Sequence, residues 1–221
     1  MSVVPLQEGW SILCYDLPTE PRAERDRVLE ELKEYREKGE PVPPEIVKKA
    51  EAIKKIEAQL VNLRNKTNMF LLACGCIRVS MSVWIYPIPL ENYIMENLRQ
   101  IYESIREKVE KHASVIGYIM KDFEAAFSFI DIQMTPRTEA AIQQITVKHV
   151  DDVKAMIEEK VKRIEEKLEK LSREKRWKVK YELNQLLQIV QNLKKNPVAT
   201  TLCKEKLEEA ERKIRELYDK L

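Results

Sequence analysis

"LLACGCIRVSMSVWIYP", residues 71–87, is where a chain written mostly in Lys, Glu and Leu drops its charge and turns to β-branched and aromatic residues around a single Gly. Upstream, Met69 to Ala73 extend a helical apolar pattern that Gly75 is placed to end, because glycine enters the left-handed region at little cost. Downstream, Ile77, Val79, Met81, Val83 and Ile85 alternate with Arg78, Ser80, Ser82, Trp84 and Tyr86, the period of a strand with one face in a core. The stretch therefore predicts a glycine-terminated helix that launches a sheet element over residues 76–87.

The flanks fit that assignment. "GWSILCYDLP", residues 9–18, is an apolar run too short for a helix and bounded by Asp-Leu-Pro, so it predicts a buried strand ending at Asp16. Val28, Leu32 and Tyr35 share one helical face, and Gly39 stands where that helix would stop. A second helix is predicted to start near Pro44, with Ile46, Ala50, Ile53, Ile56, Leu60 and Leu63 at helical spacing. Beyond Pro89, Tyr93, Ile94, Leu98, Ile101, Ile105 and Val109 mark an amphipathic helix. "ASVIGYIMKDF" and "AAFSFIDIQM" then read as one or two strands. The order is the βαββαβ grammar of an α+β, ferredoxin-like domain at about residues 8–135, with a helical-hairpin insertion at about 20–66.

Residues 136–221 carry no strand signal. Val150, Val153, Ile157, Val161, Ile164, Leu168 and Leu171 recur at coiled-coil spacing, as do Val179, Leu183, Leu186, Val190 and Leu193, and then Cys203, Leu207, Ala210, Ile214, Leu217 and Leu221. Three helices are predicted, forming a helical bundle or coiled-coil region, with "KKNPVATT" as the break before the last.

Composition excludes several classes. With 39 Lys+Arg against 37 Asp+Glu there is no global field to draw in an anionic partner, so any electrostatic recognition must be local. Two histidines, and a C-x-C pair without a second couple, argue against zinc and against Ser/His/Asp or Cys/His catalysis. No Gly-rich phosphate loop exists, no apolar run reaches membrane length, and the N-terminus does not read as a leader; a cytoplasmic protein with reduced thiols is expected. High Lys and Glu with few Gly lean toward proteins of hot environments.

"YDLP", "RAERDRV" and "GCIRVSMSVWIYP", in that order, resemble the CRISPR-associated adaptation protein Cas-two and its relatives, among them the central domain of the phenylacetate-pathway repressors. The resemblance covers residues 9 to about 130. It implies a ferredoxin-like protomer that forms a homodimer, with Asp16 of each copy near the other at the strand ends. Some members are described as metal-dependent nucleases and others as duplex-DNA binders that do not cut. The long hairpin between Asp16 and Ser82 departs from the compact relatives.

Each candidate residue has a functional and a structural reading. Asp16 would hold Mg²⁺ in a nuclease, the only cofactor the chain would then need, or cap the following turn. Asp122, Glu124 and Asp131 are further conceivable ligands. Arg22, Arg25 and Arg27, with Arg78, offer forks to a phosphate backbone, or else pair with Glu20, Glu24 and Asp26 on a solvated helix. Arg173, Lys175, Arg176, Lys178 and Lys180 surround Trp177 and Tyr181, which suits phosphate contact with base stacking; alternatively Trp177 fills a helical corner. The expectation is a dimeric nucleic-acid-binding protein, of duplex DNA with little sequence readout. A nuclease using Asp16 and an adaptor recruiting a protein through residues 150–221 are the alternatives.

Overall fold

The computed structural model describes residues 9–166 and 173–221, with the side chains of residues 173–175 outside the description. The elements are β1 (Trp10–Tyr15), α1 (Arg22–Lys38), α2 (Pro44–Ala73), β2 (Ile77–Arg78), β3 (Val83–Pro87), a 3₁₀ turn (Ile88–Leu90), α3 (Glu91–Ala113), α4 (Phe123–Ala126), β4 (Phe127–Ile132), α5 (Pro136–Glu165), α6 (Arg173–Leu193) and α7 (Pro197–Asp219). The protein is thus mixed α+β and mainly helical. Among the described residues no helix is long and apolar enough to cross a membrane.

Residues 71–87 behave as predicted at one end and differently at the other. Gly75 takes φ +74°. The N–H of Gly75 returns to Leu72 O and that of Cys76 to Leu71 O, both at 3.0 Å, which closes α2. The following stretch is two strands instead of one. β2 and β3 pair antiparallel, Ile77 opposite Ile85 and Arg78 opposite Trp84, around a turn in which Val79 N–H and Ser80 N–H both donate to Val83 O. The predicted alternation fails there: Val79 and Met81 are exposed at the turn, while Trp84, Ile85 and Tyr86 are consecutively buried, as in a strand covered on both faces. The sheet order is β2-β3-β1-β4, with Trp10 opposite Pro87 and Cys14 opposite Val83 in the β1–β3 ladder.

Of the two further stretches, only residues 127–132 form a strand. The chain after α3 instead wraps the end of that helix, Tyr118 N–H donating to Ala113 O at 3.1 Å. Its apolar side chain Ile116 packs on the α1–α2 cluster of Val28, Ile46 and Ile53, while Val115 and Ile119 are exposed.

The chain divides into two compact units, neither a continuous segment. One takes the chain up to Cys14, Phe70–Glu91 and everything from Phe129. It holds the sheet and α5–α7, around Trp10, Ile77, Ile85, Ile142 and Val198. The other takes Tyr15–Met69 and Asn92–Ser128. It holds α1, most of α2 and α3, with the Val28 cluster and an aromatic group in which Phe123 and Phe127 stack at 4.7 Å and both meet the Tyr102 edge.

Within the first unit most of the predicted seam positions are buried: Val150, Val153, Ile157 and Val161 on α5, Leu183, Leu186, Val190 and Leu193 on α6, and Cys203, Leu207, Ala210, Ile214 and Leu217 on α7; Ile164, Val179 and Leu221 are half-buried, and Leu168 and Leu171 lie outside the described residues. Among the described residues four ion pairs bridge α5 and α7 with its C-cap: Asp151–Lys206, Lys154–Glu209, Glu158–Lys213 and Glu165–Lys220, each between residues 55 apart. A constant separation means that α5 and α7 run parallel. Held between Lys154 and Lys213, the Glu209 carboxyl falls to a pKa of about 2.

α7 begins where the Pro break was predicted. Asn196 is buried and its side-chain oxygen accepts from Val198 N–H at 3.1 Å and Ala199 N–H at 3.2 Å, with Pro197 at the first helical position. Asn196→Ala should therefore cost about 1–2 kcal/mol. Chemical denaturation reads this directly, and an unchanged midpoint would show that the cap contributes nothing.

Candidate functional site

Asp16 lies just past β1 in the second unit. Its backbone N–H donates to Ala126 O at 2.8 Å, which fixes the residue, while the exposed carboxylate accepts from Lys121 Nζ at 2.6 Å. The turn that follows is closed by Arg22 N–H to Glu20 O. The Asp16 side chain thus ends in a solvent-exposed ion pair. The other acidic candidates are also engaged: Asp122 with Arg106 at 3.0 Å, Glu124 with Arg99 at 2.7 Å, and Asp131 as acceptor from Ser11 Oγ at 2.9 Å. Among the described residues no three His, Cys, Asp or Glu side chains converge as a metal cluster.

The arginines of α1 divide. Arg25 sits among Glu20, Asp26 and Glu57 at 3.4–3.6 Å, and Arg27 pairs with Glu31, as the ion-paired reading expects. Arg22 is exposed and lines a shallow hollow with Pro18, Tyr118 and Lys121.

At the start of α6 the alternative in which Trp177 fills a core fails. Trp177 is 69% exposed and Tyr181 57% exposed, and their rings stack at 6.3 Å with 18° between planes. Arg176 and Lys178 are exposed beside them. Lys180 turns away, its Nζ 5.1 Å from the Tyr218 ring centre on α7. The Arg173 and Lys175 side chains lie outside the described residues. The pattern held the signal for this face: Trp177 and Tyr181 are four residues apart, hence neighbours on a helix, and both lie off the Val179–Leu183–Leu186 seam.

Arg78 sits elsewhere, in the β2–β3 hairpin of the first unit. Its Nε donates to Ser80 O at 3.0 Å and its guanidinium lies 5.6 Å from the Trp84 ring centre. Its backbone N–H donates to His149 Nδ1 at 3.3 Å. His149, on α5, is a residue that sequence reasoning passed over. It is 3% exposed, its ring meets that of Trp84 edge-on at 6.2 Å, and burial drives its pKa down to about 4, helped by Arg78 and opposed by Asp152. The imidazole is therefore neutral near pH 7, and with Nδ1 accepting, the proton sits on Nε2. That Nε2–H is buried without a partner, as is Trp84 Nε1–H. An unmet buried donor costs about 1–3 kcal/mol. Nothing in the Val150 seam announces this, because a helical histidine beside an apolar stripe reads as packing.

Comparison with protein-family models, with curated proteins and with solved structures finds no match to this chain.

Proposed function

We propose that the protein binds nucleic acid through the first turns of α6. The observation that carries this reading is the exposed, mutually stacked Trp177–Tyr181 pair beside Arg176 and Lys178. Aromatic faces held open to water are costly to keep unless something covers them, and a base presents a π-face of matching size whatever its identity. Flanking cations take up the phosphates and make affinity fall with salt, since released counterions supply the drive.

The strand order β2-β3-β1-β4, with helical crossovers between β1 and β2 and between β3 and β4, is compatible with a ferredoxin-like core; homodimerisation and duplex DNA as ligand enter this reading from the Cas-two resemblance alone. On this reading residues 136–221 are an added helical region that carries the contact surface. A nuclease centred on Asp16 would require that carboxylate to exchange the Lys121 ammonium for Mg²⁺.

The test is anisotropy with labelled single-stranded and duplex DNA at about 50 and about 200 mM salt. Trp177→Ala should weaken binding about tenfold or more, the loss of one stacked base, without lowering the denaturation midpoint, because the ring is not in the core. Equal affinity of wild type and variant, or affinity indifferent to salt, would dismiss the reading.

A further inference from the structure

The Trp177 and Tyr181 rings lie 18° from parallel and both are open to solvent, so they form one plate on the outside of α6. The flat face of a base covers such a plate. In a duplex each base has its faces covered by its neighbours in the stack, and no face reaches a convex helix surface unless the base first leaves that stack. The bases of a single strand are already free to splay out. The phosphates of a strand crossing the plate meet a local excess of charge, because residues 173–181 hold Arg173, Lys175, Arg176, Lys178 and Lys180 against one acid, Glu174.

A groove of about 330 Å³ opens between α6 and α7, lined by Asn184, Leu187, Ile214, Arg215, Tyr218 and Asp219. It adjoins the plate: Asn184 follows Tyr181 by three residues and so neighbours it on the helix, and Lys180 Nζ lies against the Tyr218 ring. Its lining charges are one cation and one carboxylate, and Arg215 is already paired with Glu211, so the groove does not favour a phosphate. Apolar walls from Leu187, Ile214 and Tyr218, beside an amide that both donates and accepts, suit a flat neutral group with a polar edge. An unpaired base is such a group.

We infer, resting on the nucleic-acid reading of this surface, that its ligand is a single strand rather than the duplex that the Cas-two resemblance implies. One unpaired base stacks on Trp177 and Tyr181, the next lies in the α6–α7 groove against Tyr218 with Asn184 at its edge, and the basic run takes the phosphates.

The test titrates the full chain with a DNA strand of about 16 nucleotides, with the duplex it forms with its complement, and with an abasic strand of the same length, which keeps the phosphates and lacks the bases. Anisotropy reads affinity. Trp10 and Trp84 are buried, so quenching of tryptophan fluorescence reports on Trp177. The intact strand should bind about tenfold or more tightly than the duplex and than the abasic strand, and it alone should quench. Trp177→Ala should remove most of the preference for the intact strand over the abasic one. Asn184→Ala, at an exposed position, should weaken the intact strand severalfold. Duplex bound as tightly as the strand, with Trp177→Ala still weakening both, would overturn the single-strand inference and leave the nucleic-acid reading standing. Binding of none of the three would overturn both. An abasic strand as good as the intact one would reduce the contact to charge and overturn the stacked base, and an unchanged strand affinity in Asn184→Ala would overturn the groove as the seat of the second base.

Discussion

Acidification from pH 7 toward pH 4 should cost the folded state about 3 kcal/mol through His149 alone. The imidazole titrates near 6.5 when unfolded and near 4 when folded, a difference of about 2.5 units at 1.36 kcal/mol each. Below pH 6.5 the unfolded chain takes up a proton that the native site refuses, so the unfolded state gains; the stabilisation is whole above pH 6.5 and is lost progressively down to about pH 4. Burial dominates, Arg78 adds to it and Asp152 works against it. The lowered carboxyls, Glu209 to about 2 and Glu211 in the same direction through their lysine and arginine partners, and Glu124 through its own backbone N–H and then Arg99, lose their contributions only at lower pH. Urea unfolding of wild type and His149→Asn at a series of pH values isolates the effect. The difference between them should shrink as pH falls from 7 to 5. Parallel curves over that range would show that the ring is not held neutral by the fold.

Gly75→Ala should be the most damaging of the glycine replacements, at about 2–4 kcal/mol. Two costs add. A Cβ in the left-handed region costs about 1–2 kcal/mol. At Gly75 that Cβ would also stand 2.9 Å from Asn192 O and 3.1 Å from its carbonyl carbon, backbone atoms that move only with α6. The Asn192 side chain donates to Ala73 O at the same place, so the end of α2 and the end of α6 are tied there. Gly39→Ala is the control: φ is +65° but nothing lies within 4 Å of its added Cβ, leaving only the conformational cost. Denaturation midpoints separate the two variants, and equal losses would mean that the close approach to Asn192 carries no energy.

The helical architecture was legible because its punctuation is local. Gly39 and Gly75 end helices, Pro44 and Pro197 open them, and most of the described seam positions of α5, α6 and α7 are buried where spacing placed them. The hairpin in residues 76–87 was not legible, because Ser80-Met81-Ser82 contains none of the Gly, Asn or Pro residues that usually announce a tight turn. An alternating pattern that continues through such a turn looks like one long strand. The candidate sites divided on the same principle. Arg25 and Arg27 meet near neighbours in sequence, Glu20, Asp26 and Glu31, whereas the partners of Asp16 and of Arg78 come from Lys121 and His149, which only the folded chain brings near.

The ladder between α5 and α7 bears on alignment more than on strength. Surface ion pairs contribute little apiece, but sliding α7 by one turn breaks all four and brings like charges together. One direction sets Lys154 against Lys213; the other sets Glu158 against Glu209 and Glu165 against Glu216. A greasy seam of repeating Leu, Ile and Val discriminates poorly between neighbouring settings, so the charges act as a vernier that rejects the mis-set ones.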